Sequence, residues 1–401
     1  MRELELGKGI TTCKECLPLL LTVGSLLRYL EGRRDPEEVV VYFMPQADGP
    51  CRFGQYSVFL ENYFRKQRLG NVALLSLSAE NGYGGMSTTF TRRGVQALAI
   101  GDGLDDIYAA LLVLAAEPEA ALEAFSRARE KILSSLARDD FTGLLAVLRG
   151  EMRELAALPL RGALSEATTV TLAGEIFVRR DGFSRQNLVE HLARQGVVVR
   201  TVPITEWLHY TDYCVLQGLS TDSTLGSRLS TRLKRAVQCR DEALLHHALA
   251  LSGLFPAHAT SIRKVMEQGA RLLAPEIAIE SSLTIGTALT ASPEETHGVI
   301  SIGPFGCMPG RISEAILHHR LERERDSRPR RRGSLGRGAV AGPPLPFLAI
   351  ETDGTPLSPL MEARLEGFVL AAHRFRLAGH RRGVGVLELY PEARLATEAG
   401  C

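Results

Sequence analysis

Three of the seven cysteines in this 401-residue chain stand in company suited to chemistry. Cys16 lies in Lys14-Glu15-Cys16-Leu17-Pro18. Cys51 lies in Gly49-Pro50-Cys51-Arg52-Phe53-Gly54-Gln55-Tyr56, and Cys307 in Gly303-Pro304-Phe305-Gly306-Cys307-Met308-Pro309-Gly310. Glycine lets backbone approach a bulky group, and N–H groups at helix starts stabilise negative charge. A thiolate-bound iron–sulfur cluster is bulky and anionic, and N–H groups aimed at its sulfurs tune its potential. The three loops therefore suit one cluster gathered from distant parts of the chain. Three thiols buried in tight turns would leave the same spacing, because free cysteine behaves as a small hydrophobe.

Cys13 and Cys16 form a C-x-x-C pair, which is half of a structural zinc site. No second close pair follows, and His246-His247 and His318-His319 are adjacent residues on expected helices, pointing apart. A thioredoxin-like pair lacks its preceding strand. Cys13 is left as a fourth ligand or a chance thiol. Lys14 and Arg52, beside two of the cysteines, are placed to offset a cluster's negative charge. Glu175 is expected just past a strand, where a carboxylate can handle a proton, orient a ligand or cap a helix. Glu206 and Trp207 are expected at the same crevice, the tryptophan as a packing residue. Cys214, Cys239 and Cys401 lack the Gly/Pro context and are assigned to structure or tail.

The elements that must position these residues alternate as in parallel α/β proteins. Expected strands are 38–43, 72–77, 169–172, 197–202, 299–302 and 347–350. Cys51 and Cys307 each follow one of them, at the carboxyl end where open sheets place ligands. A helical tract runs from about Leu104 to Leu155 and is broken at Pro118. Another helical region spans about 220–269. Ile100-Gly101-Asp102-Gly103 reads as a glycine turn, Thr352-Asp353-Gly354-Thr355 as a turn after a strand, and 320–342 as a mobile, Arg-rich loop. The division is an N-terminal α/β domain over 1–160 with Cys13, Cys16 and Cys51, a second over 161–385 with Cys307, and a tail from 386 to 401. The fold class is α/β: two Rossmann-like, flavodoxin-like parallel-sheet domains, a helical segment between them and the site in the crevice.

Composition is ordinary for a globular protein, with 45% hydrophobic and 23% charged residues. A net charge of +1 gives no reason to expect nucleic acid or a membrane surface as partner. The apolar stretch 17–30 is interrupted by Pro18, Gly24 and Arg28, so neither a signal peptide nor a spanning helix is expected. A cytoplasmic location follows as the expectation.

Beyond spacing, the motifs resemble the acyl-CoA dehydratase activase-related family, akin to 2-hydroxyacyl-CoA dehydratases and double-cubane cluster proteins. The three cysteine segments carry the likeness, with Phe43-Met44-Pro45, Glu80-Asn81-Gly82-Tyr83, Gly174-Glu175-Ile176-Phe177-Val178-Arg179, Glu206-Trp207-Leu208-His209-Tyr210-Thr211-Asp212 and Pro346-Phe347-Leu348 in the family's order. The resemblance implies a [4Fe–4S] or larger double-cubane cluster on Cys16, Cys51 and Cys307, with one iron open to another ligand. It also implies a separate ATP-hydrolysing activator of the sugar-kinase type, an acyl-CoA or other small substrate, and a dimer or partner cluster subunit. The chain departs from the family in opening almost at the Cys16 motif and in showing no ATPase phosphate loop. The implied role is a low-potential reductase or dehydratase-like component. The alternatives are a non-catalytic electron-transfer or cluster-assembly partner, or a degenerate member with a structural metal.

Overall fold

The computed structural model describes residues 1–12, 15–46, 50–76, 87–220, 223–256, 261–277, 279–292, 294–326 and 344–380. In chain order the elements begin with helices α1 (Arg2–Ile10) and α2 (Leu17–Gly32), strand β1 (Val40–Phe43), α3 (Tyr56–Lys66) and β2 (Val72–Leu75). Three helices follow: α4 (Thr88–Leu114), α5 (Pro118–Leu136) and α6 (Phe141–Ala156). Then come β3 (Thr168–Gly174), α7 (Leu188–Arg194), β4 (Val197–Thr201), α8 (Ile204–Gln217), α9 (Leu225–Ala250), α10 (Ile262–Gly269) and α11 (Ser281–Thr290). The last are β5 (Val299–Pro304), α12 (Met308–Asp326), β6 (Phe347–Thr352) and α13 (Pro359–His380). The chain is α/β with two parallel sheets. No described helix is long and apolar enough to cross a membrane.

The larger sheet has the order β4-β3-β5-β6, all parallel. Its strands are buried on both faces, so they read as near-continuous apolar runs such as Val299-Ile300-Ser301-Ile302. Strand order reverses between β3 and β5, which are registered from Thr171↔Val299 to Gly174↔Ile302. The smaller sheet pairs β1 with β2 from Val40↔Val72 to Phe43↔Leu75. It shares a core with α2 and α3 through Leu19, Val23, Tyr56, Leu60 and Phe64.

Several expectations shift at their edges for identifiable reasons. The stretch from Leu17 forms helix α2, with Pro18 in the first turn, where its missing N–H costs nothing. The tract from Leu104 is three helices, with the expected break at Pro118 and a second one before Phe141. Pro118 opens α5, and Asp140 opens α6 by accepting the Gly143 N–H at 2.9 Å. The glycine turn expected at Ile100–Gly103 lies inside α4. A side chain at Gly103 would bring Cβ to 2.4 Å from Leu249 Cδ1, so the glycine serves close packing of α4 on α9. The loop expected from 320 is helical through Asp326; residues 327–343, 80–83 and the expected tail lie outside the described residues.

Candidate functional site

The reversal between β3 and β5 makes a topological switch point at their carboxyl ends, the place where open α/β sheets hold ligands. The chain leaves β3 through Gly174, whose φ is +105°. A Cβ there would stand 2.1 Å from the Ile302 carbonyl oxygen, so only glycine lets the two strands meet this closely. The next N–H, of Glu175, donates to that same oxygen at 2.9 Å. Beyond β5, a Cβ built on Gly303 would lie 3.7 Å from Cys307 Cβ and 3.9 Å from Glu175 Cβ. Glu175 and Cys307 thus flank one spot at the switch point.

All three cysteines of interest stand immediately before helical turns. Cys16 is the N-cap of α2, Cys51 caps the short 3-10 turn Arg52–Gln55 that leads into α3, and Cys307 precedes Met308 of α12. Cys16 and Cys307 are half-buried and Cys51 is exposed; partial desolvation still raises the pKa of each thiol, that of Cys307 to about 12. The backbone N–H groups of Leu19, Phe53 and Gly310 work against that rise at Cys16, Cys51 and Cys307 respectively. The Cys16 thiol hydrogen-bonds the buried Tyr56 hydroxyl.

These thiols also feel one another. The Glu175 and Cys51 charges raise Cys16; Glu280 and Glu175 raise Cys51; Glu280, Glu175 and Cys51 raise Cys307. The Glu175 carboxylate thus acts on thiols from segments far apart in sequence, and geometry sets it directly beside Cys307. Arg52 lies exposed beside Cys51 and opposes its rise. Cys13 and Lys14 lie outside the described residues.

No family of known proteins, no curated protein and no solved structure matches this chain. The resemblance rests on the motifs quoted above, and the site must be read from its own residues.

Behind the thiols, three carboxylates surround one buried guanidinium. Arg179 donates from Nη1 to the Gly174 carbonyl at 2.6 Å and from Nη2 to that of Pro203 at 3.2 Å, and its Nη1 lies 3.7 Å from Glu280 Oε1. It ties the end of β3 to the starts of α8 and α11. Burial raises Glu206 to about 7 and Glu280 to about 8, and raises Glu175 as well. Glu175 accepts the Val178 N–H at 2.7 Å, so it caps a turn at the switch point. Glu206 accepts from Thr287 Oγ1 at 3.2 Å, whereas Glu280 Oε1 accepts no hydrogen bond. Glu280 escaped sequence reading. Its segment, Glu280-Ser281-Ser282, looks like any helix start, and only the Ser281 Oγ donation to the Pro309 carbonyl at 2.8 Å links it to the Cys307 loop.

The remaining expectations resolve simply. Trp207 packs with Tyr210 and the buried Cys214 of α8. Cys239 lies on α9, and Cys401 is outside the described residues. His246 sits on α9 beside Glu242, whose other oxygen meets His209 Nε2 at 2.7 Å. Among the described residues no three His, Cys, Asp or Glu side chains are set to hold a single metal ion. One ion at a metal–sulfur length of about 2.3 Å needs its donors nearly touching. A cubane sets each thiolate on a different corner, so wider convergence suits it. Three thiols with helix-start N–H groups at each are the donor chemistry such a cluster uses.

Proposed function

We propose that the chain is an iron–sulfur protein holding a [4Fe–4S] cluster on Cys16, Cys51 and Cys307, acting as a low-potential reductase or dehydratase-like component. What supports this reading is Cys307 flanking one spot with Glu175 where strand order reverses, with the Glu175 charge also acting on the helix-start cysteines Cys16 and Cys51. In this reading the two parallel sheets are flavodoxin-like layers with the cluster between them. When bound, such a cluster supplies one-electron chemistry and an iron open to an oxygen ligand of a small acyl-thioester substrate.

The chain's own residues then have defined tasks. The N–H groups of Leu19, Phe53 and Gly310 and the guanidinium of Arg52 balance the negative charge gathered on the sulfurs. Glu175 and Glu280 hold protons at the switch point, with Arg179 fixing the backbone just before Glu175 and facing the Glu280 carboxylate. Low potential would follow from keeping the cluster's own negative charge away from water, since an already negative site resists another electron. In this reading electrons come from a separate ATP-hydrolysing activator of the sugar-kinase type, as the resemblance implies. Anaerobic electron paramagnetic resonance, with and without activator, ATP and strong reductant, tests this supply. The expected result is a reduced-cluster signal only with the full set. Efficient reduction by a mild donor alone would remove the case for activation.

A further inference from the structure

The first four turns of α9 are amphipathic the wrong way round. Leu225, Leu229, Leu233 and Val237 recur every four residues and are 87%, 59%, 66% and 46% exposed. The inward face of the same stretch is polar: Thr231 and Asp241 are buried, and Asp241 is bound by Arg92 at 2.5 Å and by Gln96 at 2.7 Å. Only from Leu245 onward does α9 turn apolar residues into the core. A surface helix normally buries its apolar stripe, and a contiguous exposed one marks an interaction site.

Along this stretch of α9 itself the charge has one sign, with Lys234 already paired to Asp212 of α8 at 2.6 Å. From Leu225 to Arg240 the sequence carries Arg228, Arg232, Lys234, Arg235 and Arg240 and no carboxylate. Arg232 and Arg240 are exposed on the ridge side. Two copies of the ridge packed about a two-fold axis would bring these arginines together without counter-charge, which disfavours self-association. A membrane-surface helix needs an apolar face along its length, and here that face turns inward after Val237. A row at four-residue spacing is instead the ridge that packs against another helix at about −50°.

We propose that this ridge docks an acidic amphipathic helix of a partner protein, whose leucine-type side chains interleave with Leu225, Leu229 and Leu233 while its carboxylates meet Arg232 and Arg240. The inference stands apart from the cysteine site. The probe is a synthetic helical peptide with leucines four residues apart flanked by glutamates, compared with the same peptide carrying lysines, by fluorescence anisotropy on the full chain. The glutamate peptide should bind, weakening with salt, and Leu229→Ser with Leu233→Ser should weaken it at least about tenfold while circular dichroism stays unchanged. Arg232→Glu with Arg240→Glu should reverse the preference toward the lysine peptide. Equal binding of both peptides, or no effect of the serine pair, would overturn the proposal. So would ridge-dependent sedimentation with phosphatidylserine vesicles, or ridge-dependent dimers in analytical ultracentrifugation.

Discussion

Partial desolvation raises Cys16, Cys51 and Cys307, so in the chain alone these thiols keep their protons, and a bound metal must displace them. The carboxylates behind them are raised too, with a consequence for stability. Glu206 and Glu280 titrate at about 7 and about 8 in the fold, against about 4.3 in an unfolded chain. Between those values the folded state holds the extra protons. The contribution is whole below the unfolded value and is lost as pH rises through the folded ones. We expect the thermal midpoint to fall from about pH 5 to about pH 8.5, and Glu206→Gln with Glu280→Gln to flatten that fall. A slope unchanged in the double variant would show that these two groups do not carry it. Glu175 and Glu206 were legible as crevice residues because each closely follows a β-branched run. Glu280 was not, because only folding brings the start of α11 under the Cys307 loop.

At the scale of elements, glycines decide how closely β3 and β5 approach. Gly174→Ala must both hold an alanine at φ +105° and push Cβ against the Ile302 carbonyl. It should cost about 3 kcal/mol in urea unfolding. Gly303→Ala meets only ordinary contacts at 3.7 Å and beyond, and should cost less than about 1 kcal/mol. Similar losses at both positions would contradict the close-approach account. The strands themselves were legible because runs such as Val197-Val198-Val199 declare a fully buried parallel strand. The start of α4 was not. Thr88-Thr89-Phe90-Thr91 is a poor helix former, and glycines recur at 94, 101 and 103. Burial of Ile107, Leu111 and Leu114 against α5, α6 and α9 outweighs those local preferences.

For the whole molecule, sequence order and packing divide the chain differently. Helices α4 to α6 precede β3 in sequence, yet Ile107, Leu111, Leu144 and Leu148 share one core with Val198 of β4 and with Leu245 and Leu249 of α9. The smaller sheet keeps its own core with α2 and α3. Cys16 and Cys51 belong to the segments around the smaller sheet, and Cys307 to the larger one. One cluster on these three cysteines would therefore join the two sheets, and its assembly would depend on the whole molecule rather than on any one motif. The most direct measurement is iron and acid-labile sulfide in protein purified anaerobically, for the natural sequence and for Cys16→Ser, Cys51→Ser and Cys307→Ser. About four of each per chain are expected in the natural protein, with loss in every single variant while circular dichroism keeps its folded form. Iron without sulfide, or full loading that survives any of the three substitutions, would contradict a cubane held by these cysteines.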